Sequence, residues 1–394
     1  IEGAEAGTKG LSLFIVPRIR INEDGSLGEL NDVAVPSIEH KMGINASATC
    51  VVNFGDDSKC LGEVVGGIEH QGIRQMFHMM NAARIGVGIQ GLSVAAASYL
   101  SALEYARERK QGASAKQFKD ANAPRVPILQ HPNIRQDLLD MKARVEGVRA
   151  LVMKLSNHAD RLNATRGKDD ESEAYHKGQI DLLTPLVKAY GTDTAFEVSS
   201  RAIQVHGGHG YLRDHPVEQY CRDAKIFQIY EGTNFIQSMD LVSRKLGQAG
   251  GANTQAFLTD IQNFIMDNKD TPELQESIKH LQGAHEAVAA SVMQFISWFK
   301  GGKIEHIPLA AENFLRIMSE LAVGWLLLEQ ASIALKKLPE TSESHPDHAF
   351  YTGKKFAAQF FANDTLATLP ARVHRLSAID TLPVEIPDEA FASI

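Results

Sequence analysis

The chain has 394 residues, 44% of them hydrophobic and 22% charged, with a formal net charge of −8. That length suggests two or three domains with ample core-forming material, and the acidic balance argues against a nucleic-acid surface, because no basic block outweighs it. No apolar run looks long enough to span a bilayer, and Cys50, Cys60 and Cys221 form neither a C-x-x-C pair nor an even set for disulfides, so a reducing, cytoplasmic setting is the default expectation.

Residues 1–65 read as strands and turns. Leu11-Ser-Leu-Phe-Ile-Val-Pro17 and Thr49-Cys-Val-Val-Asn-Phe54 are β-rich, and Glu23-Asp-Gly25 and Gly66-Gly67 punctuate them. From Ile73 the period changes. Met76, Met80, Ala83, Val87, Gly91, Val94 and Ser98 recur at helical steps, which predicts a long helix to about Lys110. A polar connection from Gly112 to Pro132 follows. Leu138, Met141, Val145, Val148, Val152 and Leu155 mark a second helix, and Gly167-Lys-Asp-Asp-Glu-Ser172 a solvated turn. Ile180, Leu183, Val187, Tyr190, Thr194, Val198 and Ala202 mark a third helix, with Pro185 near its start. A fourth runs from Pro216 to about Ile226 and a fifth from Asn234 to Leu246. The region 66–250 therefore reads as a four-helix bundle with an appended turn.

Gly247-Gln-Ala-Gly-Gly-Ala252 reads as a linker, after which helical stripes restart. Residues 251–394 are expected to form an extra, mainly helical domain with an extended tail after Thr381. The fold class expected is thus mainly α: a helical bundle, preceded by part of a β-domain (1–65) and followed by a further helical domain.

Two glycine patterns look alike and read differently. Gly86-Val-Gly-Ile-Gln-Gly91 satisfies G-x-G-x-x-G, but it lies inside a helical pattern and not after a strand, so it reads as a close helix contact and not as a dinucleotide loop. His206-Gly-Gly-His-Gly210 is a true Gly-rich loop. Its His206 and His209, with His215, invite a metal reading, but no acidic or Cys partner stands at ligand spacing, so no metal is expected. Glu231 stands beside Gly232 at the junction of two helical patterns. There a carboxylate can face a cavity and act as a general base, or it can be an ordinary solvated loop glutamate.

Four segments occur in order: Gln204-Val-His-Gly-Gly-His-Gly-Tyr211, Pro216-Val-Glu218, Arg222-Asp-Ala-Lys225 and Tyr230-Glu-Gly-Thr233. Together they resemble the signature of the acyl-CoA dehydrogenase family, over roughly residues 1–250. The extra C-terminal domain resembles that of a bacterial subgroup of the same family. The resemblance implies an FAD-dependent enzyme that desaturates an acyl-CoA thioester at its α and β carbons, with Glu231 as catalytic base in an apolar slot. Ala83 stands where one branch of the family carries its glutamate.

The resemblance also implies cofactor contacts from Arg109, Gln204, Gly207, Gly208 and Thr233, some reaching the flavin of a neighbouring subunit. Substrate contacts are implied for Asn81, Arg84, Tyr230 and Gly232. Gln111-Gly112 and Phe235 depart from the family's usual residues. An electron-transfer flavoprotein is the implied electron acceptor, and a homo-oligomer the implied assembly, with no nucleic acid and no membrane span. Ile1 would fall in the middle of the family's β-domain, so an N-terminal part is expected to be missing. An acyl-CoA oxidase, or a non-catalytic relative that binds nucleic acid or a partner, stands as the alternative.

Overall fold

The computed structural model describes Ile1 and residues 3–392. They divide into two compact units, residues 1–84 and 85–394.

The first unit holds six short strands in three antiparallel pairs. β1 (Phe14–Ile15) pairs with β6 (Glu63–Val64), β2 (Ile19–Ile21) with β3 (Leu27–Leu30), and β4 (Val33–Ile38) with β5 (Cys50–Phe54). A polar side chain is the central tie. Asn31, fully buried, donates from Nδ2 to the carbonyls of Pro17 (2.8 Å) and Leu61 (2.7 Å), and its Oδ1 accepts from Leu61 N (3.0 Å) and Arg20 Nε (3.1 Å). Every hydrogen-bonding group of the carboxamide is thereby used, which removes the penalty of burying it.

Helix α1 (Gly72–Glu108) begins in the first unit and continues into the second, where α2 (Pro132–Thr165), α3 (Asp170–His206), α4 (Val217–Phe227) and α5 (Asn234–Asp240) follow. A π-type turn over Leu241–Lys245 extends α5 almost to the expected Leu246. α3 starts ten residues before the first apolar marker, Ile180. Asp169 caps it by accepting from Ser172 N, so Pro185 lies well inside the helix and not near its start. α3 is buried on nearly every face and packs on α2, α4, α5 and α6 (Ala252–Asn268). A helix enclosed on most faces belongs at the centre of its layer.

The two glycines that α1 presents to α3 explain its false fingerprint. A Cβ on Gly88 would lie 2.5 Å from Val187 Cγ1, and one on Gly91 would lie 2.5 Å from the carbonyl oxygen of Gly191. The two backbones touch there, and a side chain would force them apart.

The expected linker is a short 3-10 turn (Gln248–Gly251) pinned to α3. Ala249, Gly250 and Gly251 all have positive φ, Gln248 Nε2 donates to Asp181, and Gln179 Nε2 donates to the carbonyl of Asn253. Beyond it stand α7 (Gln275–Lys300), α8 (His306–Lys337), α9 (Pro346–Asp364), α10 (Leu369–Ser377) and α11 (Leu382–Glu385). The tail after Thr381 is therefore not simply extended: α11 and a 3-10 turn over Asp388–Ala392 occupy it. One continuous apolar core runs from α2 and α3 through α6–α10, with Phe295 and Phe314 at its heart (ring centroids 4.9 Å apart). Ion pairs stitch the same helices: Arg144 of α2 (3.4 Å) and Arg316 of α8 (2.6 Å) to Glu197 of α3, and Arg372 of α10 to Glu320 of α8.

Among the described residues two helices are long and apolar enough to cross a bilayer, which corrects the expectation from the sequence: Gly72–Glu108 and His306–Glu340. In the second, 83% of the apolar stretch is buried within the protein, as in a core helix. In the first, 33% of the apolar stretch is buried, and Gly88 and Gly91 sit against α3.

Candidate active site

Glu231 lies in the loop between α4 and α5, and the backbone explains why it stands out. The amides of Ile229 and Tyr230 both donate to the carbonyl of Ile226, which ends the α4 turn. Glu231 then takes φ +55° and Gly232 φ +82°, a left-handed pair that reverses the chain. Thr233 restarts the helix as N-cap of α5, its Oγ1 accepting from Ile236 N (3.2 Å). The Glu231 side chain is exposed and has no hydrogen bond or ion pair among the described residues. It is not sunk in the apolar slot that the sequence suggested.

The loop itself is held from below. Asn234 N donates to the carbonyl of Gln228 (3.0 Å), which closes the loop on itself. Asn234 Nδ2 and Gln228 Nε2 both donate to Asp193 Oδ1 of α3, each at 2.7 Å. Asn234 Oδ1 accepts from the buried Lys188 Nζ (2.9 Å). Gln237, also buried, reaches back to the carbonyl of Gly232 (3.3 Å). Burial pushes the Asp193 carboxyl above its ordinary range, against the two amide hydrogen bonds. Tyr230 stacks on Phe227 with centroids 5.9 Å apart and donates its hydroxyl to Gln90 Oε1 of α1. Burial and the neighbouring Glu231 carboxylate raise its phenol.

The Gly-rich loop forms a second group. α3 ends at Gly207, whose φ is +61°, and a Cβ on Gly207 or Gly208 would meet no atom within 4 Å. Gln204, on the last turn of α3, lines a cavity of about 620 Å³ with Arg144, Glu197, Arg201 and Arg316. Tyr105 of α1 stacks on His206 (4.4 Å, 23°), and His209 and His215 approach the same ring. His206 Nδ1 lies 2.8 Å from the carbonyl of Ala202, and burial lowers its pKa. Arg109 follows one turn after Tyr105. It is exposed, and its guanidinium has no ion pair among the described residues.

The structure thus brings Arg109, Gln204, Gly207 and Gly208 to one end of the bundle and Tyr230, Glu231, Gly232 and Thr233 to another place. Their anchor points on α1, Tyr105 and Gln90, are separated by about 22 Å at the helical rise. Asn81 and Arg84 belong to the first unit. Asn81 is exposed and lines a cavity of about 490 Å³ with Thr8, Lys9, His70, Arg74 and Phe77, and Arg84 is buried. Sequence reasoning missed Lys188, Asp193, Gln228, Asn234 and Tyr105. A lone lysine within an apolar helical face was a signal for the first of these.

Residues 70–246 match the family described as "Acyl-CoA dehydrogenase, C-terminal domain", and residues 257–387 the one described as "Acetyl-CoA dehydrogenase C-terminal like". The chain carries acyl-CoA dehydrogenase C-terminal domains. Among the curated members it resembles are a butyryl-CoA dehydrogenase of Syntrophomonas wolfei (35% identical, over 98% of this chain and 63% of that protein) and a broad-specificity linear acyl-CoA dehydrogenase of Mycobacterium tuberculosis (36%, over 99% and 64%). A third is the 3-methylmercaptopropionyl-CoA dehydrogenase of Ruegeria pomeroyi (34%, over 95% and 61%). The chain therefore spans somewhat less than two thirds of the length of these relatives. The fold is that of the Caenorhabditis elegans protein ACDH-11, solved in complex with C11-CoA, with a TM-score of 0.74 at 19% identity over 96% of this chain and 58% of that one.

Proposed function

We propose that the chain carries the catalytic base of an FAD-dependent acyl-CoA dehydrogenase, and that Glu231 is that base. The observation that carries this reading is the loop. A carboxylate with no partner of its own projects from a strained left-handed turn, and five polar side chains beneath it fix that turn to a buried helix. A solvated loop glutamate has no need of such support, whereas a general base must be held within hydrogen-bond reach of the proton it takes.

In this reading Glu231 accepts the α-proton of the acyl thioester as the C–H bond breaks. Tyr230 and Gly232 flank the reacting carbons. FAD, when bound, supplies the two-electron acceptor for the β-hydrogen. The residues present fit such a group. Arg109 offers a guanidinium with no ion pair among the described residues and suited to a diphosphate, Gln204 offers an exposed carboxamide, and Gly207 and Gly208 offer open backbone positions. The hydroxyl of Thr233 accepts the cap hydrogen bond and keeps its own proton for a ligand. The separation of about 22 Å along α1 between the anchor points of the two groups supports a homo-oligomer in which Arg109 and the Gly-rich loop serve a neighbouring subunit's flavin. An electron-transfer flavoprotein would then take the electrons onward.

The test is Glu231→Gln in the complete protein. The amide keeps the shape but cannot take the proton. Turnover of acyl-CoA should fall about a thousandfold, while the visible flavin absorbance of the purified protein is unchanged. Turnover near the parental rate would overturn the assignment.

A further inference from the structure

We propose that Asn234 is the positioning residue for Glu231, the keystone of a clasp through which α3 sets where the base points. The proposal rests on the reading of Glu231 as base. Glu231 has no side-chain partner among the described residues, so its placement comes from its backbone alone. That backbone is the loop 228–233, and the two residues bracketing it converge on one carboxylate oxygen, Asp193 Oδ1.

The Asn234 carboxamide is the part that cannot be exchanged. Its nitrogen faces a carboxylate oxygen that already accepts from Gln228, and its oxygen faces a lysine that can only donate. A flipped amide would put like against like at both ends, so the orientation is determined. Thr192 Oγ1 and the carbonyl of Ala189 complete the socket at 3.1 and 3.3 Å from Nδ2. Four of the partners, Ala189, Lys188, Thr192 and Asp193, lie on one stretch of α3, the helix most enclosed by the core. A rigid element thereby dictates the loop geometry.

Burying Lys188 and most of Asp193 with a neutral amide between them is a poor way to gain stability. It is a good way to specify one arrangement of a loop. The groups acting on Asp193 are Asn234, Gln228 (itself tied to Lys225 of α4), Glu197 on α3 and Arg316 on α8, with Lys188 on the far side of the Asn234 amide. The ion pair of Arg316 with Glu197, one turn from Asp193, links the C-terminal helices to the same stretch of α3.

Three variants of the complete, flavin-loaded protein test this, with backbone amide exchange of the same variants in residues 1–394 as a readout that needs no substrate. Asn234→Ala should lower kcat about tenfold to a hundredfold, as misplacement of a reacting group by about 1 Å does, with KM and flavin retention unchanged. Its amides at 229–233 should exchange about tenfold faster, since the loop opens locally. Asn234→Asp keeps the volume but sets a carboxylate against Asp193. Its activity should be low at alkaline pH and recover as pH falls, because a proton shared by the two carboxyls restores the missing donor. A base acting alone would show the opposite trend.

Parental kcat and parental exchange in Asn234→Ala, with Glu231→Gln inactive, would overturn the clasp and leave the base standing. An active Glu231→Gln would overturn both. If Asn234→Ala does not fold, the pH profile of Asn234→Asp decides: recovery at low pH supports the clasp and a parental profile overturns it.

Discussion

The two units of this chain solve the problem of stability in different ways. In residues 85–394 apolar side chains are fully enclosed, in one large core from α2, α3 and α6–α10 and in a smaller one among α1, α2, α3 and α4. In residues 1–84 no apolar side chain among those described is fully buried, and Ile15, Ile21, Leu27, Leu30 and Phe54 are all more than half exposed. That unit is ordered about a polar residue, Asn31, and three short strand pairs. The lesson is that hydrophobic composition does not say where a core is. Both units are rich in Ile, Leu, Val and Phe, and only one has enough layers to bury them. An exposed apolar surface of that extent is the kind that in other proteins meets another surface.

The sharpest way to break the comparison is to remove a core side chain. Phe314 is fully buried and meets Phe295 edge to face. Phe314→Ala should destabilise residues 85–394 by about 3–5 kcal/mol through lost burial and the cavity left behind. A urea melt followed by helical circular dichroism reads this directly. A shift under about 1 kcal/mol would mean that the core is looser than its burial implies.

The helices of that core were legible because their apolar residues recur at three and four steps, and the acyl-CoA dehydrogenase signature pointed to Glu231 and to the Gly-rich loop. What failed has physical causes. The first turns of α3, from Asp170 to Gln179, are polar and carry no stripe, so the cap at Asp169 went unread and the helix was started late. The clasp under Glu231 joins Lys188 to Asn234 across 46 positions and Gln228 to Asp193 across 35. Spacing along a chain cannot register contacts of that range; only the crossing of α3 beneath the α4–α5 loop creates them. At the expected linker, Gly247 to Ala252, the chain does turn, and one apolar core runs beneath that turn.

The contrast can be sharpened from the other side. If polar pinning organises residues 1–84, then Asn31→Ala should act there and nowhere else. It leaves Leu61 N and two carbonyls without their partner, at a cost of about 1–3 kcal/mol for groups left unsatisfied. Hydrogen exchange at the Leu61 amide should quicken, while the helical melt of residues 85–394 keeps its midpoint. A loss of helical stability equal to the loss at Leu61 would show that the two units unfold as one.

The smallest expected effect tests how tightly the enclosed unit is built, and it uses two glycines of one helix. Gly91 and Gly86 both belong to α1, both have helical neighbours, and propensity alone predicts that alanine is better at each by about 1 kcal/mol. Their surroundings differ. A Cβ on Gly91 would sit 2.5 Å from the carbonyl oxygen of Gly191 and 3.0 Å from Thr192 N, backbone atoms of α3 that cannot rotate away. A Cβ on Gly86 would meet nothing within 4 Å. Gly91→Ala should therefore destabilise by about 1–3 kcal/mol as α1 is levered off α3, and Gly86→Ala should stabilise by about 0.4–1 kcal/mol because the unfolded chain loses freedom. Thermal melts of the two variants side by side give opposite signs if the α1–α3 contact is as close as the structure has it. Equal signs would mean that the helices stand further apart, and that the glycines are there for some reason other than packing.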